Sequence, residues 1–353
     1  MPLRPYLQQL VEARTALSRD DARAALQHIF DAKASLPEVQ IAALLGAIAA
    51  RGETAAEIAG FADGLRQASL PLPLTPHERA RLIDTCGTGG DSSGTFNIST
   101  AAALVAAAAG ATVAKHGNRA VTSRSGSADV LEALGIPVDL TPAAAADALR
   151  RHRFAFLHAP SLHPAMRAVM PIRRALGVRT IFNVVGPLTN PAGAARQVMG
   201  VYAAHLVPIV AEAMVLLGTE RALIVHGHTS GRSDSTASPA PGMDELSVSG
   251  PSQIAEVRNG TVTHSELHPA DFGLSPAPID ALRGGDAQHN AAILQAIFAG
   301  EPGPCRDIVL LNAGAVLLVA DLASDLATGI ALAAETIHSG AVTRLLQDLQ
   351  TPD

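Results

Sequence analysis

The chain has 353 residues, of which 48% are hydrophobic and 16% charged, so it is long enough for two domains with a large buried core. A net charge of −6 argues against a protein that lives on nucleic acid, and two cysteines are too few for a disulfide framework. The N-terminus lacks the apolar core of a signal peptide, and no apolar run reaches the roughly 20 residues of a membrane span. We therefore expect a cytoplasmic protein that binds neither membranes nor nucleic acid.

The first 70 residues are predicted to form helices only, at about 19–32, 37–50 and 55–68. Each predicted helix begins with a capping box, in which a hydroxyl and an acidic side chain satisfy free amides. The three boxes are Ser18 with Asp21, Ser35 with Glu38, and Thr54 with Glu57. These helices have too many apolar faces for an isolated bundle, so we expect them to pack on another surface. The proline-rich segment 70–76 is a candidate hinge to the next domain.

From residue 81 onward, short β-branched runs alternate with helical segments, which predicts a largely parallel sheet. The predicted strands are 82–85, 112–115, 155–158, 197–201, 222–226 and 246–248. The predicted helices are 101–110 capped by Ser99 and Thr100, 127–134, 142–152 capped by Thr141, 164–176, 206–217, 286–299, 308–321 and 325–338. Residues 258–261 predict a type I′ hairpin, and the Gly-, Ser- and Pro-rich segment 228–242 predicts a flexible surface loop.

Two glycine- and hydroxyl-rich loops follow the first two predicted strands, at 86–95 and 115–127. In the first, Gly87, Gly89 and Gly90 let the backbone approach a ligand, and the free amides of the next helix favour an anion. The second contains Lys115, His116, Arg119 and Arg124. A glycine-rich turn alone is a weak signal. Both loops within one βαβ-sized unit, together with the segment 97–100 between them, predict a site for a polyphosphorylated small molecule.

Further candidates follow these loops. The segment 164–179 carries Arg167, Arg173, Arg174 and Arg179. Most of these arginines are interpreted as a solvated basic face, although a substrate carboxylate would require one of them. Asp244 and Glu245 are adjacent carboxylates that, beside a diphosphate, would be expected to bind Mg²⁺. Cys86 is interpreted as a small buried thiol.

Taken together, these segments resemble the anthranilate phosphoribosyltransferases, among the nucleoside phosphorylase-like glycosyltransferases. The resemblance rests on GTGGD (87–91), NIST (97–100), KHGNRAVTSRSGSADVLEALG (115–135), RRALGVRTIFNVVGPLTNPA (173–192), MDEL (243–246), HPADFGL (268–274) and the pattern around 311–313. These motifs cover nearly the whole chain in the order of the family.

The resemblance implies a small all-helical domain and a larger α/β domain with a mostly parallel central sheet, the nucleoside phosphorylase-like transferase fold. The helical domain would comprise 1–73 with a contribution from 164–192. The α/β domain, of 74–163 and 193–353, would bind 5-phosphoribosyl 1-diphosphate. The resemblance also implies a homodimer joined through the helical domains.

The implied reaction, a step of tryptophan biosynthesis, transfers the phosphoribosyl group to the amine of anthranilate, giving N-(5-phosphoribosyl)anthranilate and pyrophosphate with Mg²⁺ as cofactor. The implied contacts to the diphosphate substrate are Gly87, Gly90, Asp91, Thr95, Asn97, Ile98, Ser99, Thr100, Lys115, His116, Gly117, Asn118, Arg119, Ala120, Val121, Thr122, Ser123 and Ser127. Ser99, Asp244 and Glu245 match the metal positions. Gly87, Asn118 and Arg173 match the anthranilate positions, and His163 would line the same tunnel. Lys115, Asn118 and Arg173 are the expected catalytic residues.

One departure is the segment 228–242, since the family usually has only a few residues between its Val-His-Gly strand and its Asp-Glu pair. Its composition predicts an insertion that loops out without moving the strand ends. Two alternatives remain open: a pyrimidine nucleoside phosphorylase, and a non-catalytic relative that binds nucleic acid on the same fold. Asn118 and the GPLTNP segment favour the transferase, and the acidic net charge opposes nucleic-acid binding.

Overall fold

The computed structural model describes residues 2–31, 37–120, 124–229 and 242–350. The N-terminal elements are α1 (Arg4–Leu7), a π turn (Gln8–Glu12), α2 (Arg19–Phe30), α3 (Glu38–Arg51) and α4 (Ala55–Gln67). The next elements are α5 (Pro76–Arg79), β1 (Leu82–Asp84), α6 (Ile98–Ala108), β2 (Thr112–Gly117), α7 (Ser127–Ala133), α8 (Pro142–His152), β3 (Phe154–His158) and α9 (Ala159–Leu162). Then follow a 3₁₀ turn (Pro164–Ala168), α10 (Met170–Leu176), α11 (Phe182–Val185), β4 (Arg196–Gly200), α12 (Leu206–Leu216), β5 (Arg221–His228), β6 (Gly242–Met243), β7 (Ser252–Arg258) and β8 (Thr261–Leu267). The chain closes with α13 (Ala287–Phe298), α14 (Pro304–Val319), α15 (Leu326–His338) and α16 (Ala341–Gln350).

Helix starts are set largely by the predicted capping residues. The Ser18 hydroxyl accepts the amide of Asp21, and Thr54 and Glu57 form a reciprocal capping box. Thr141 caps α8, whose bounds match the prediction. The third predicted box does not start α3, which begins at Glu38 with Pro37 as its N-cap and no side-chain cap; Ser35 lies outside the described residues. Local sequence therefore predicts the caps of α2, α4 and α8 correctly.

The strands form one sheet in the order β3-β2-β1-β4-β5-β7-β8, with β6 paired to the end of β5. Pairing is parallel from β3 to β5 and antiparallel beyond it, which confirms the mostly parallel sheet. The chain places β2 and β3 outward on one side of β1 and then returns to place β4 on the other side. The carboxyl ends of β1 and β4 thus form the topological switch point at which α/β sheets bind ligands.

Alternate residues of each strand enter different cores. Ile83 and Val198 join a core with α6, α14 and α15. Met199 and Ile224, on the opposite face, join α12 and the N-terminal helices in a second core. α4 packs on α2 and α12, α10 packs on α3, and α11 packs on α4. The apolar faces of the N-terminal helices are therefore buried partly against this chain's own α/β region and partly against the segment that contains α10 and α11.

Two helix predictions need correction. α6 begins at Ile98 with Asn97 at its N-cap, so Ser99 and Thr100 lie inside the first turn and are not the caps. The segment predicted as one helix over 164–176 is a 3₁₀ turn followed by α10, and it breaks because Pro171 has no amide hydrogen to continue the ladder.

Other boundaries differ as well. α14 begins at Pro304, four residues before the predicted start, because proline suits the first turn of a helix. α16 was not predicted.

The predicted strand 246–248 is wrong. Leu246 and Val248 are buried, but the chain there is irregular, and the strand that pairs with β5 is β7. The side-chain amide of Asn312 accepts from the Leu246 N–H at 3.0 Å and donates to the Leu246 carbonyl at 2.9 Å. A side chain here replaces the neighbouring strand, so an apolar run is buried without strand pairing.

The type I′ hairpin prediction is confirmed: Arg258 pairs with Thr261, and Asn259 and Gly260 have φ of 52° and 78°. None of the helices within the described ranges is long and apolar enough to cross a bilayer.

Candidate active site

Asp84, at the carboxyl end of β1, is a buried carboxylate that joins three segments. Its Oδ1 accepts the backbone amides of Thr85 at 2.7 Å, Cys86 at 3.1 Å and His116 at 3.1 Å. Its Oδ2 accepts the side-chain amide of Asn190 at 2.8 Å. Burial raises the pKa of Asp84 to about 6, and these hydrogen bonds oppose that rise. One side chain thus fixes the start of the first glycine loop (86–95), the end of β2 and the turn at Asn190.

The first glycine loop lies against the last residue of β4 and the residue that follows β6. The Thr88 amide donates to the Gly200 carbonyl at 2.9 Å, and the Gly89 amide donates to Asp244 Oδ2 at 2.6 Å. A Cβ on Gly87 would lie 2.9 Å from Asp244 Oδ2. Any larger residue at Gly87 would displace that carboxylate, which explains why glycine is needed there.

Beyond these glycines, the loop is held by its own polar groups and by the chain at 282–284. Asp91 Oδ1 accepts the Ser93 amide at 3.0 Å, and the hydroxyls of Ser93 and Thr95 are 3.2 Å apart. The Phe96 amide donates to the Leu282 carbonyl at 3.1 Å. Asp91 and Thr95 therefore lie along one ordered turn that leads into α6.

The N-terminus of α6 faces the same site. The Ser99 amide donates to Glu245 Oε1 at 3.0 Å. Ile98 and Thr100 are buried, so a ligand at this helix end meets their backbone amides and not their side chains. Asn97 precedes them as the N-cap.

Lys115 lies on β2 with its side chain buried between the first loop and α6. Its Nζ is 3.0 Å from Thr85 Oγ1 and 3.3 Å from Ser99 Oγ. It forms no ion pair with another described residue, yet its charge lowers the pKa of both Asp84 and Glu245. The ammonium group is thus held by neutral oxygens and retains charge for a ligand.

Asp91, Asp244 and Glu245 form an acidic cluster at the switch point. Asp91 Oδ2 accepts the Asp244 amide at 3.2 Å. Burial raises the pKa of Asp244, and the charges of Asp91 and Glu245 raise it further. Burial also raises the pKa of Glu245, to about 7, while Lys115 opposes that rise. The cluster is therefore deficient in positive charge.

Across the described part of the chain, no three His, Cys, Asp or Glu side chains are arranged to hold a metal ion by themselves. Mg²⁺ is usually bound through one or two carboxylates, with phosphate oxygens and water completing the shell. The acidic cluster matches that incomplete arrangement.

The second glycine loop (115–127) is closed by Asp129 of α7. Asp129 Oδ2 accepts the amides of Ala120 at 2.9 Å and Gly126 at 2.8 Å. A Cβ on Gly126 would lie 2.5 Å from the Ala120 nitrogen, so only glycine allows this approach. Arg119 is turned towards α7, where it pairs with Glu132 at 2.6 Å.

The remaining predicted residues of this loop surround the turn. The Asn118 carbonyl accepts the Ala128 amide at 3.3 Å, and Asn118 Oδ1 accepts the Arg119 amide at 2.8 Å. Gly117 ends β2 and Ser127 begins α7. The predicted contacts Val121, Thr122 and Ser123 lie outside the described residues.

His116 and His163 bring the second loop against the segment that carries Arg173. Their ring centroids are 5.1 Å apart and both side chains are buried. Burial lowers the pKa of His116 well below its usual value, and the neighbouring His163 lowers it further. Burial likewise lowers the pKa of His163, to about 4. Both imidazoles are therefore neutral at pH 7.

Arg173, on α10, is a partly buried guanidinium without a carboxylate partner among the described residues. Its Cζ lies 5.4 Å from the centre of the Phe182 ring, and burial lowers its pKa. Its Nη1 donates weakly to the Met170 sulfur at 3.8 Å. Its remaining donors are available to a ligand, whereas a structural arginine this buried is usually paired.

Sequence reasoning missed Asp84, Asn190, Asp129 and Arg179. Asp84 could have been found from the sequence, because it ends an apolar strand. A carboxylate buried at such a position is rarely found unless it is paired. Arg179, interpreted as part of a solvated basic face, is exposed, but it also donates to the Gly90 carbonyl, and its Cζ lies 4.3 Å from the Tyr202 ring centre.

The ends of the extra segment 228–242 are paired with each other. Gly227 pairs with Met243 and His228 with Gly242, so the chain returns to the sheet where it left it. Asp244 follows directly, and residues 230–241 lie outside the described residues. The strand ends are thus in register, as the predicted insertion requires.

Comparison with known proteins places this site in a family. Residues 4–69 match the helical bundle domain of the glycosyl transferase family, and residues 79–343 match the a/b domain of the same family. The anthranilate phosphoribosyltransferase of Brevibacillus brevis is 50% identical over 334 residues, which cover 95% of this chain and 93% of that protein. That of Haloferax volcanii is 48% identical over 92% of this chain and 93% of that protein.

Solved structures agree with these relatives. The anthranilate phosphoribosyltransferase of Thermus thermophilus superposes with a TM-score of 0.86 at 41% identity, covering 98% of both chains. The Saccharomyces cerevisiae enzyme in complex with PRPP and Mg superposes with a TM-score of 0.83 at 29% identity, covering 98% of this chain and 96% of that one. The chain therefore belongs to the glycosyl transferase family built from a helical bundle domain and an α/β domain, the family of the anthranilate phosphoribosyltransferases.

Proposed function

We propose that the protein transfers the phosphoribosyl group of 5-phosphoribosyl 1-diphosphate to the amine of anthranilate and releases pyrophosphate, a step of tryptophan biosynthesis. The observation that carries this proposal is Arg173, a partly buried guanidinium without a carboxylate partner among the described residues. A planar guanidinium binds a carboxylate through two parallel hydrogen bonds, and anthranilate offers that group beside its amine. A phosphorylase acting on a pyrimidine nucleoside would have no carboxylate for Arg173 to bind.

The two glycine loops would bind the phosphates of the donor substrate. The backbone amides of 87–91 and of the α6 N-terminus supply hydrogen bonds without charge, and Lys115 supplies a charge held by neutral oxygens. The second loop, with Asn118 at its turn, would enclose the ribose and place the amine of anthranilate.

Mg²⁺ is the proposed cofactor. The fit lies in the acidic cluster, because Asp244 and Glu245 have raised pKa values that a bound cation would relieve. Both would bind the ion, with the Ser99 hydroxyl adjoining them. When bound, the ion would offset the negative charge of the diphosphate.

Departure of pyrophosphate from the anomeric carbon leaves positive charge on the ribose and negative charge on the leaving group. Lys115 and the loop amides would stabilise the leaving group electrostatically. The unprotonated aromatic amine forms its bond to the anomeric carbon as the bond to pyrophosphate breaks. The positively charged nitrogen then loses its proton to the departing pyrophosphate or to water, so no strong base is needed. Arg173 would orient the acceptor carboxylate and Asn118 the amine, so that the encounter takes place within one positioned complex.

A homodimer through the helical domain, comprising 1–73 with 164–192, is proposed as the assembly. Val11 and Val39 support it, since they are 58% and 71% exposed on N-terminal elements that pack together. We place the reaction in the cytoplasm. Nucleic acid is not a proposed partner, because the chain carries a net charge of −6.

The test is direct: anthranilate fluorescence should fall when the protein is mixed with the donor substrate, Mg²⁺ and anthranilate. Arg173→Ala should raise the anthranilate KM by about 10- to 100-fold, the value of a charge-assisted hydrogen-bond pair. The donor KM should change little.

Arg174→Ala is the matched control, because Arg174 is the exposed neighbour on the same helix, and its KM values should stay near the wild type. An unchanged anthranilate KM in the Arg173 variant would remove that arginine from the acceptor site. Phosphorolysis of thymidine or uridine without loss of anthranilate would favour the phosphorylase instead.

A further inference from the structure

The central residues of the first glycine loop are held individually from outside the loop. Thr88 donates to the carbonyl of Gly200, and Gly89 donates to Asp244. These partners belong to the α/β part of the chain. The Gly90 carbonyl differs, because its partner is the Arg179 guanidinium. Arg179 comes from the connection between α10 and α11, two helices that pack on the N-terminal helices.

Arg179 is held on a second side by an aromatic ring. Its Cζ lies 4.3 Å from the centre of the Tyr202 ring, within the range of a cation–π contact. The Tyr202 amide donates to Thr88 Oγ1 at 2.9 Å, which returns the chain of contacts to the same loop. Burial raises the pKa of Tyr202; the charge of Glu53 raises it further, whereas that of Arg179 lowers it. Arg179, Tyr202, Thr88 and Gly90 therefore form a closed set of contacts, which we call the arginine clamp.

The clamp acts on a backbone that few other contacts restrain. Gly89 and Gly90 both have positive φ, at 65° and 70°, and neither has a neighbour within 4 Å of where a Cβ would be. Glycine backbone of this kind loses much entropy when it is ordered. A guanidinium that fixes the Gly90 carbonyl also fixes the direction of the adjoining peptide amide. That amide belongs to the set proposed to bind the diphosphate.

We propose that Arg179 is a positioning residue that preorganises the first glycine loop for the diphosphate through the arginine clamp. This role rests on the proposed function. It touches the loop backbone and Tyr202, so its effect on substrate is indirect. It also stands six residues after Arg173, which ties the acceptor segment to the donor loop.

The experiment measures donor binding and kinetics in Arg179→Ala, Arg179→Lys, Tyr202→Leu and Tyr202→Phe. Arg179→Ala and Tyr202→Leu should each raise the donor KM and the calorimetric Kd for the donor with Mg²⁺ by about five- to tenfold. The anthranilate KM and the melting temperature should stay near the wild type, because Arg179 is exposed and Tyr202 is only partly buried. Tyr202→Phe keeps the ring and should behave as the wild type.

The double variant Arg179→Ala with Tyr202→Leu should be no weaker in donor binding than Arg179→Ala alone, because both changes break one clamp. Arg179→Lys should recover little, since ammonium lacks the planar stack. If Arg179 acts only as a charge near the diphosphate, the Arg179→Lys variant will bind the donor normally and Tyr202→Leu will not change donor binding. Those two results would overturn the positioning role of the arginine clamp.

Calorimetry separates this inference from the proposed reaction. A wild type that binds the donor but does not consume anthranilate would overturn the reaction, while an Arg179-dependent Kd would still support the clamp. Equal donor Kd values for the wild type and Arg179→Ala would overturn the clamp, whatever the activity.

Discussion

Single buried side chains determine where the two glycine loops lie. Asp84 and Asn190 are 106 positions apart in the chain, yet they share a hydrogen bond of 2.8 Å. Both carry polar atoms into the interior, where only complete pairing makes burial tolerable. Residues of this kind fix the geometry of the site without necessarily touching a substrate.

His163 predicts a specific response to acid. The unfolded imidazole takes up a proton near its ordinary pKa of 6.5, while burial delays protonation of the folded one to about pH 4. Between these values the unfolded state binds more protons, so stability falls as the pH is lowered through this window. At about pH 5 the contribution is about 2 kcal/mol.

His163→Gln removes this titration and leaves His116 in place. Its free energy of unfolding should therefore fall less than that of the wild type between pH 7 and pH 5, by about 2 kcal/mol. Urea denaturation at both pH values measures the difference. Equal losses in the two proteins would mean that the His163 ring titrates normally in the folded state.

The sequence predicts those parts of the site whose geometry is determined by neighbouring residues in the chain. The segments 87–91 and 115–127 indicated phosphate-binding loops, because glycine lets the backbone approach an anion and basic side chains attract one. The roles of Asp84, Asp129 and Arg179 were not predicted, because each depends on contacts with residues that the local sequence does not identify. One arginine among the four of this segment cannot be distinguished from a solvated one until Tyr202 and Gly90 are placed beside it.

At the level of elements, the close approach of β4 to the turn at Asp244 places the acidic cluster. A Cβ on Gly200 would lie 1.5 Å from the Asp244 carbonyl oxygen and 2.2 Å from its carbon. Backbone, not a movable side chain, occupies that space. The end of β4 and the turn at Asp244 can therefore be adjacent only if residue 200 is glycine.

Gly200→Ala should lower the free energy of unfolding by about 1–3 kcal/mol, the usual result of overpacking, and should reduce activity because Asp244 must move. Gly186→Ala is the matched control: its backbone is helical, with φ −48° and ψ −53°, and no atom lies within 4 Å of its Cβ position. Chemical denaturation compares the two. If Gly200→Ala were as stable as the control, the turn would be more mobile than its contacts indicate.

Elements were predictable where local rules decide them. The bounds 142–152 followed from Thr141 and Pro142, and the hairpin followed from Asn259-Gly260. The run 246–248 was misassigned because strands and buried irregular chain are equally apolar. The backbone of Leu246 is satisfied by Asn312, which lies 66 positions away in the chain.

At the level of the whole molecule, the sheet order collects chemistry from distant parts of the chain at the ends of β1 and β4. An α/β class could be predicted from alternating segments, but the order 3-2-1-4-5 could not, because strand neighbours depend on crossovers and not on local pattern. The short strand β6, paired antiparallel to the end of β5, brings back the chain after the extra segment. That return determines where the acidic pair lies.

Replacing residues 230–241 by Asn-Gly tests that role. The pair His228 and Gly242 would then be joined by a three-residue hairpin loop containing glycine, which is a common connection. We expect kcat and both KM values to stay within about threefold of the wild type, because a shorter connection between ends that are already paired costs little.

Steady-state kinetics and the Mg²⁺ dependence of the rate check this expectation. A control with the twelve residues shuffled keeps length and composition. A tenfold loss in the shortened protein but not in the shuffled one would mean that chain length holds Asp244 in place, contrary to the paired ends described above.

Asp84 has a consequence for redesign. The Asp84 carboxylate accepts hydrogen bonds from both glycine loops and from the turn at Asn190. Neither glycine loop is therefore an independent module. Transplanting one glycine loop into a related scaffold would leave the buried carboxylate without its hydrogen-bond donors. Recombination between homologues should therefore succeed only when both loops and the turn at Asn190 come from the same parent.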